Sequence, residues 1–343
     1  HAVLYLMFDV FKNHDKKKFE IFGFNHSKHK TKLTTEISKH FDRFYDCSDL
    51  SDKEIALLSR ENNINIAINL TGHTSDSRDG IYQYDPAPIK VNYLGYPGTM
   101  GSDCYNYIIA DRIVIPKDKK KDFFEKVVYL PECYQPNQAE INLSDINISK
   151  RDVGLPENSF VFGCLNNNYK ITPDIFKSWM EILKNTENSV LWLLVNEEIA
   201  KKNIEKEAEK YGVNKNRIFY AQRLQSKKHL KRLKHIDLFL DTFPYNAHTT
   251  AKEAIRAGVP IITCKELLMG QFVENEEIGL TFEWGKWDRL KAVIMKLVYD
   301  KELHTKMGKR GRRLAEKTHN WDKCEERTES LYRYVKLNGI NLP

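Results

Sequence analysis

Short apolar runs alternate with segments of helical period along most of this chain, and that alternation restricts the fold more than any other feature. Strands joined by helix-length connections pair in parallel, with the helices crossing the faces of the sheet. The first half offers strands at 19–24, 64–70, 89–95 and 105–110, with helices at 31–40 and 51–62 between them. Ser51 and Glu54 have the spacing of a capping box at the start of the latter. A second series places strands at 160–165, 190–195, 217–221, 238–241 and 260–263, with helices at 173–183, 199–211, 227–234 and 250–257. Three helical patterns at 287–299, 301–317 and 321–337 close the chain.

Between 133 and 158 the periodicity fades and Pro, Asn, Ser and Asp gather, the signature of a connection. The 343 residues therefore divide into a domain over 1–140, a linker over 141–158, a second domain over 159–320 and a final helix within 321–343. That length is comfortable for two cores. The expected class is α/β, with two doubly wound, Rossmann-like domains. Because His1 is not an initiator Met and an apolar pattern begins at once, the chain reads as cut from something longer.

The formal charge of +7 is spread through Lys-rich pieces such as 117–121 and 227–234, the pattern of a solvated face. It also suits a phosphorylated small molecule. No aromatic and basic interleaving of a nucleic-acid module is present, so no nucleic-acid partner is expected. The six cysteines are far apart and never form CxxC, which reads as free thiols rather than a disulfide frame or a zinc site. No run reaches the length of a membrane span and no secretory leader is visible, so the expectation is a cytoplasmic protein.

The most informative stretch is 237–263, DLFLDTFPYNAHTTAKEAIRAGVPIIT. An apolar run ends in Asp241-Thr242, a Pro/Asn turn follows, and His248-Thr249-Thr250 opens a helix whose first N–H groups have no helical partner. Such a helix start holds phosphate. Gly258 ends the helix, and the next strand puts the site at the carboxyl edge of a parallel sheet. Neither GxxxxGK[ST] nor GxGxxG occurs, and no two aspartates stand one residue apart to hold a metal on a diphosphate. A departing nucleotide diphosphate would then be met by the helix start, hydroxyls and a lysine, for which Lys170, between a strand and a helix, is the candidate.

Plainer readings accompany each of these. Thr250 and Glu253 have capping-box spacing, Lys170 has the setting of a loop lysine, and His73 follows an apolar strand as many loop histidines do. The run Gly95-Tyr96-Pro97-Gly98-Thr99 suits either a phosphate or acceptor loop or a structural turn.

Taken together, several segments resemble the catalytic region of the O-linked N-acetylglucosamine transferase family, the SPINDLY-like glycosyltransferases of GT41 type. They are Asn69-Leu70-Thr71-Gly72-His73-Thr74, Pro86-Ala87-Pro88-Ile89, Tyr93-Leu94-Gly95-Tyr96-Pro97-Gly98-Thr99, Tyr169-Lys170-Ile171-Thr172-Pro173 and Ser189-Val190-Leu191-Trp192-Leu193-Leu194, in family order over roughly 1–265. The resemblance implies a GT-B fold, two Rossmann-like domains facing across a cleft, the first lacking its opening strand. It implies transfer from a UDP donor, UDP-N-acetylglucosamine or UDP-glucose, with inversion and without a metal or other cofactor.

In that reading Lys170 neutralises the diphosphate, and His248, Thr249 and Thr250 bind its oxygens. Asn167 stands for a family glutamine near the nucleotide, and Glu253 for an aspartate on the ribose. His229 and Arg232 lie beside the uridine, and His1 and His73 face sugar and acceptor. The base is open among His1, His73 and a water-mediated route. Ser226 replaces a nucleotide-contacting lysine of the animal enzymes, and the tetratricopeptide repeats that precede this region in the family are absent. The expected reaction is transfer to Ser/Thr of proteins. Its rivals are transfer to Asn, to a glycan or to a small molecule, and nucleotide-sugar binding without transfer.

Overall fold

The computed structural model describes residues 2–131, 133–136 and 143–317. His1, the expected helix at 321–337 and Cys324 lie outside them. Two compact units form, one holding the described residues up to Pro136 and the other those from Leu143 to Lys317.

In chain order the first unit contains α1 (Ala2–Asn13), β1 (Phe22–Asn25), α2 (Lys32–Ser38), β2 (Arg43–Asp46), α3 (Asp52–Glu61), β3 (Ile66–Asn69), α4 (Gly80–Gln83), β4 (Ile89–Tyr93), β5 (Tyr107–Ala110) and β6 (Lys126–Tyr129). β3, β4, β5 and β6 pair in parallel in that order, and β1 with β2 makes a separate parallel pair. The expected capping box opens α3: Ser51 Oγ accepts the Glu54 N–H, and the Glu54 carboxylate accepts the Ser51 N–H at 2.7 Å. Among the described residues β3 pairs on one side only, and its Ile66 and Ile68 are 42% and 48% exposed.

The second unit contains β7 (Phe160–Cys164), α5 (Pro173–Asn185), β8 (Ser189–Leu193), α6 (Glu198–Lys210), β9 (Ile218–Tyr220), α7 (Ser226–Arg232), β10 (Leu238–Leu240), α8 (Thr249–Arg256), β11 (Ile261–Cys264), α9 (Leu268–Asn275), β12 (Gly279–Phe282), α10 (Trp287–Tyr299) and α11 (Lys301–Lys317). Its six-stranded parallel sheet runs β12-β11-β10-β7-β8-β9. Relative to its own first strand this is the doubly wound order in which the chain reverses direction between its first and fourth strands, β7 and β10.

Alternation along the strands builds a core on each face of this sheet. Phe162, Leu191, Leu193, Leu238 and Leu240 pack to one side with Trp179 and Ile294. Val161, Val190, Trp192 and Phe239 pack to the other with Ala251, Ala254 and Val273. Gly258 ends α8 as expected, at φ +79, with its N–H on Ile255 and the Val259 N–H on Ala254, a Schellman closure that favours glycine.

The described part of the stretch read as a linker is docked on the second unit. Leu155 is buried in its core, and the carbonyls of Leu143 and Ile148 receive Lys231 Nζ at 3.0 Å and His235 Nε2 at 2.8 Å. Its polar composition reflects a surface strap, since a strap and a free tether have the same sequence signature. α1, β2, α4, β6, α9 and β12 were not expected from the sequence.

Candidate functional site

In the second unit, the loops that leave β7 and β10 at the carboxyl edge diverge where the strand order reverses, which is where open α/β sheets bind ligands. Lys170 ends a short 3-10 turn after β7. Its ammonium donates to the Asn246 carbonyl at 2.9 Å and lies 4.3 Å from the Tyr245 ring centroid. Burial holds this ammonium below the usual lysine range, opposed by the nearby Asp241 carboxylate.

Asp241 organises the second loop. Its Oδ1 accepts the N–H groups of Thr242 and Ala247, and its Oδ2 accepts Asn246 Nδ2 and Thr263 Oγ1, each at 2.7 Å. Only 7% exposed, its carboxyl is pushed up to about 6 by burial, against the pull of those donors. The Asn246 side chain is therefore fixed, and with it the carbonyl that Lys170 meets.

Asn166, buried beside the predicted Asn167, ties the two loops together. Its Nδ2 donates to Thr242 Oγ1 at 3.2 Å, and its Oδ1 accepts the Thr250 hydroxyl. Asn167 is itself exposed, with its carbonyl accepting the Lys170 N–H. The capping box read from Thr250 and Glu253 does not form, because the Thr250 hydroxyl goes to Asn166 and the Glu253 carboxylate to His229. His248 holds the N-cap position without a side-chain cap. Helix geometry thus leaves the N–H groups of Thr249, Thr250 and Ala251 without an intrahelical acceptor. Desolvation by the surrounding loop and then the charge of Lys170 keep the His248 ring below the usual histidine range.

His229, Arg232 and Glu253 form a chain of their own. The Arg232 guanidinium donates to His229 Nδ1 from Nε at 3.2 Å and Nη2 at 2.7 Å, so the ring hydrogen sits on Nε2 and is donated to Glu253 at 3.2 Å. Arg232 is only 2% exposed, stacks 5.5 Å over Trp192 and donates to the Gln222 carbonyl, while burial lowers it to about 10. Its fork is thus used inside the protein, on Gln222 and His229.

In the first unit, His73 stands in the loop after β3, its ring 5.3 Å from that of Tyr96. Nδ1 is 3.2 Å from Asp79 Oδ2, and Nε2 is 3.1 Å from the Met100 carbonyl. The glycine-rich loop is held by contacts within its own unit. A Cβ on Gly95 would lie 2.2 Å from the Leu70 carbonyl, so glycine there serves close backbone approach. Asn92 Nδ2 donates to the carbonyls of Tyr96 and Gly98, and Pro97 lies between those two anchored residues. The Glu125 carboxylate takes the Thr99 hydroxyl at 2.8 Å and the Met100 N–H at 2.6 Å, so these donors already serve an anion of the protein.

Sequence reasoning located the helix start and Lys170 but missed Asp241, Asn246 and Asn166, which hold them. An Asp at a strand end followed by Pro/Asn was the available signal. Among the described residues no group of three or more His, Cys, Asp or Glu is arranged to hold a metal, Cys47, Cys104, Cys164 and Cys264 carry free thiols, and no helix is long and apolar enough to cross a membrane.

A doubly wound sheet with a cation and a helix start at its reversal point defines a Rossmann-type unit of the kind found in GT-B glycosyltransferases. The chain belongs to glycosyl transferase family 41, whose sequence profile matches residues 1–139 and 135–274. It is 35% identical over 269 residues to the Arabidopsis thaliana protein named "Probable UDP-N-acetylglucosamine--peptide N-acetylglucosaminyltransferase SEC", a match covering 77% of this chain and 28% of that protein. A SPINDLY protein of Eustoma exaltatum subsp. russellianum, named for the same transfer, is 31% identical over 65% of this chain and 24% of its own length. The chain thus spans less than a third of these relatives. Among solved structures, a variant of the Thermobaculum terrenum O-GlcNAc transferase superposes with a TM-score of 0.83 at 23% identity, over 98% of this chain and 65% of that one. Anabaena HepE in complex with UDP gives 0.67 at 12% identity, over 97% and 96% of the two chains. These likenesses establish the GT-B fold.

Proposed function

We propose that this chain is the transferase region of an inverting glycosyltransferase that moves N-acetylglucosamine from UDP to Ser or Thr hydroxyls of proteins, without a metal. The observation that carries the reading is the junction of Lys170, the Asn246 carbonyl and the α8 start at the sheet's reversal point. Family membership and the names of the two plant relatives support the donor and the acceptor class.

In this mechanism the acceptor oxygen attacks the anomeric carbon, and the bond from that carbon to the β-phosphate oxygen breaks with its electron pair leaving on UDP. Negative charge grows on the β-phosphate in the transition state. Lys170 and the N–H groups of Thr249 and Thr250 are fixed in advance to receive it, so they accelerate the step as well as bind. Lys170 exchanges its carbonyl partner for phosphate oxygens, a stronger, charge-assisted contact. His248 lies against the sugar-diphosphate end. His229, held by Arg232, and Glu253 meet the nucleoside, with Asn167 at the mouth. The acceptor proton passes to a base, for which the candidates are His1, His73 and a water-mediated route.

The test is incubation with labelled UDP-N-acetylglucosamine and UDP-glucose, each with a mixture of Ser/Thr peptides. Label on peptide hydroxyls from the first donor is the expected result. Label on asparagine or glycan, preference for UDP-glucose, or UDP-sugar binding without turnover would each overturn part of the reading.

A further inference from the structure

Tyr245 sits between Lys170 and His248. One face of its ring lies 4.3 Å from the Lys170 ammonium, and its centroid is 5.5 Å from that of the His248 ring, at an interplanar angle of 32°. The ring is 56% exposed although it stands among groups that burial desolvates, so core packing does not account for it. Its hydroxyl has no hydrogen-bond partner among the described residues. The ring face is the part of this side chain that the protein uses.

The main chain that carries the ring is fixed on both sides. The Tyr245 carbonyl accepts the Thr242 hydroxyl, and Asp241 accepts the Asn246 side chain and the Ala247 N–H, each at 2.7 Å. Two consecutive residues of one anchored loop therefore grip Lys170: the Asn246 carbonyl takes one hydrogen of the ammonium, and Tyr245 takes the charge on its π face. A ligand treats these contacts differently. An anion competes for the hydrogen that the carbonyl accepts, whereas the ring acts on the charge through its quadrupole and has no acceptor oxygen to displace. We propose that Tyr245 is a positioning residue for Lys170: its ring keeps the ammonium in place while the Asn246 carbonyl gives way to the diphosphate of the donor. This rests on the reading above that Lys170 meets the departing UDP. The cation then stands ready where charge develops on the β-phosphate, and an aliphatic wall in place of the ring would not hold it.

The contact is read first without turnover. In the NMR spectrum the ε-methylene protons of Lys170 should be shifted upfield by the ring in the wild type, stay shifted when UDP is added, and lose the shift in Tyr245→Leu. A shift that disappears with UDP, or that is unchanged in Tyr245→Leu, would overturn the proposal. Kinetics with labelled UDP-N-acetylglucosamine and Ser/Thr peptides read the effect. Tyr245→Leu should lower kcat about three- to thirtyfold, the span of a cation–π contact from exposed to desolvated settings. KM should change less, and the melting temperature should hold because the side chain is half exposed. Tyr245→Phe keeps the ring and should turn over as the wild type does. In a Lys170→Met background Tyr245→Leu should add nothing.

An equal loss in Tyr245→Phe would move the role to the hydroxyl, and a full further loss in the Lys170→Met background would move it to His248. Either result, or normal turnover in Tyr245→Leu beside a disabled Lys170→Met, overturns the positioning role and leaves Lys170 assigned. Near-normal turnover in Lys170→Met overturns the donor-site reading itself, an outcome that the spectrum of the unliganded protein does not depend on.

Discussion

Lys170 and Asn246 meet through an ammonium and a backbone carbonyl 2.9 Å apart, although 76 residues separate them in the chain. The carbonyl is aimed because Asp241 holds the Asn246 side chain from within the sheet edge. A cation placed this way is available to a diphosphate without side-chain search, and its burial is a standing cost to the fold.

Lys170→Met separates these two effects. Removing a half-buried charge relieves desolvation, so the melting temperature should hold or rise slightly. Turnover should fall about 100- to 1,000-fold, the scale for losing one preorganised group on a developing anion. Thermal melting with steady-state kinetics reads both, and near-normal kcat would remove Lys170 from the mechanism.

Asp241 gives a pH signature. Its carboxyl titrates near 6 in the fold against 3.8 for an ordinary aspartate, so the native state holds the proton more tightly than the unfolded chain. The resulting stability is fully present below the unfolded value and is lost as pH rises through 6. On the order of 3 kcal/mol separates the ends of that window. Urea unfolding at pH 4 and pH 7 should show this slope in the wild type and not in Asp241→Asn; equal slopes would contradict it.

Thr250 tests the bridge between the loops. Thr250→Val leaves the Asn166 Oδ1 acceptor buried and unmatched, which should cost about 1–3 kcal/mol. The helix start should also loosen, raising KM for UDP-N-acetylglucosamine more than it lowers kcat. Thr250→Ser should restore both, and a Thr250→Val variant of full stability would argue against the bridge.

Arg232 and lysine are not interchangeable at its site, since the fork spans His229 and Gln222 while stacking on Trp192. Arg232→Lys should lose about 1–3 kcal/mol of stability through its unmatched partners, together with UDP affinity. Calorimetry on His229→Gln should show the affinity loss with little change in stability, which separates contact from support.

The architecture was legible wherever burial wrote a long signal. In the second unit β7, β8, β10 and β11 are buried along nearly all of their length and stand out as apolar runs. β2, β6 and β12 carry partly exposed or polar positions, so no uninterrupted apolar run marks them. In the site, local spacing misled at Thr250 and Glu253, whose partners Asn166 and His229 come from other elements. Asp241 was visible only as a strand end, because its donors converge from a closed loop and from Thr263 on the neighbouring strand.

The first unit's β3 carries a consequence for anyone handling this protein. Among the described residues one of its borders has no strand partner for its main-chain donors and acceptors, and Ile66 and Ile68 on one of its faces are about half exposed. A border of that kind templates strand addition from whatever extended chain is nearby. In concentrated solution the nearest is another copy, so this strand is the expected seed of precipitation, and lysine in place of Ile68 is the natural gatekeeper.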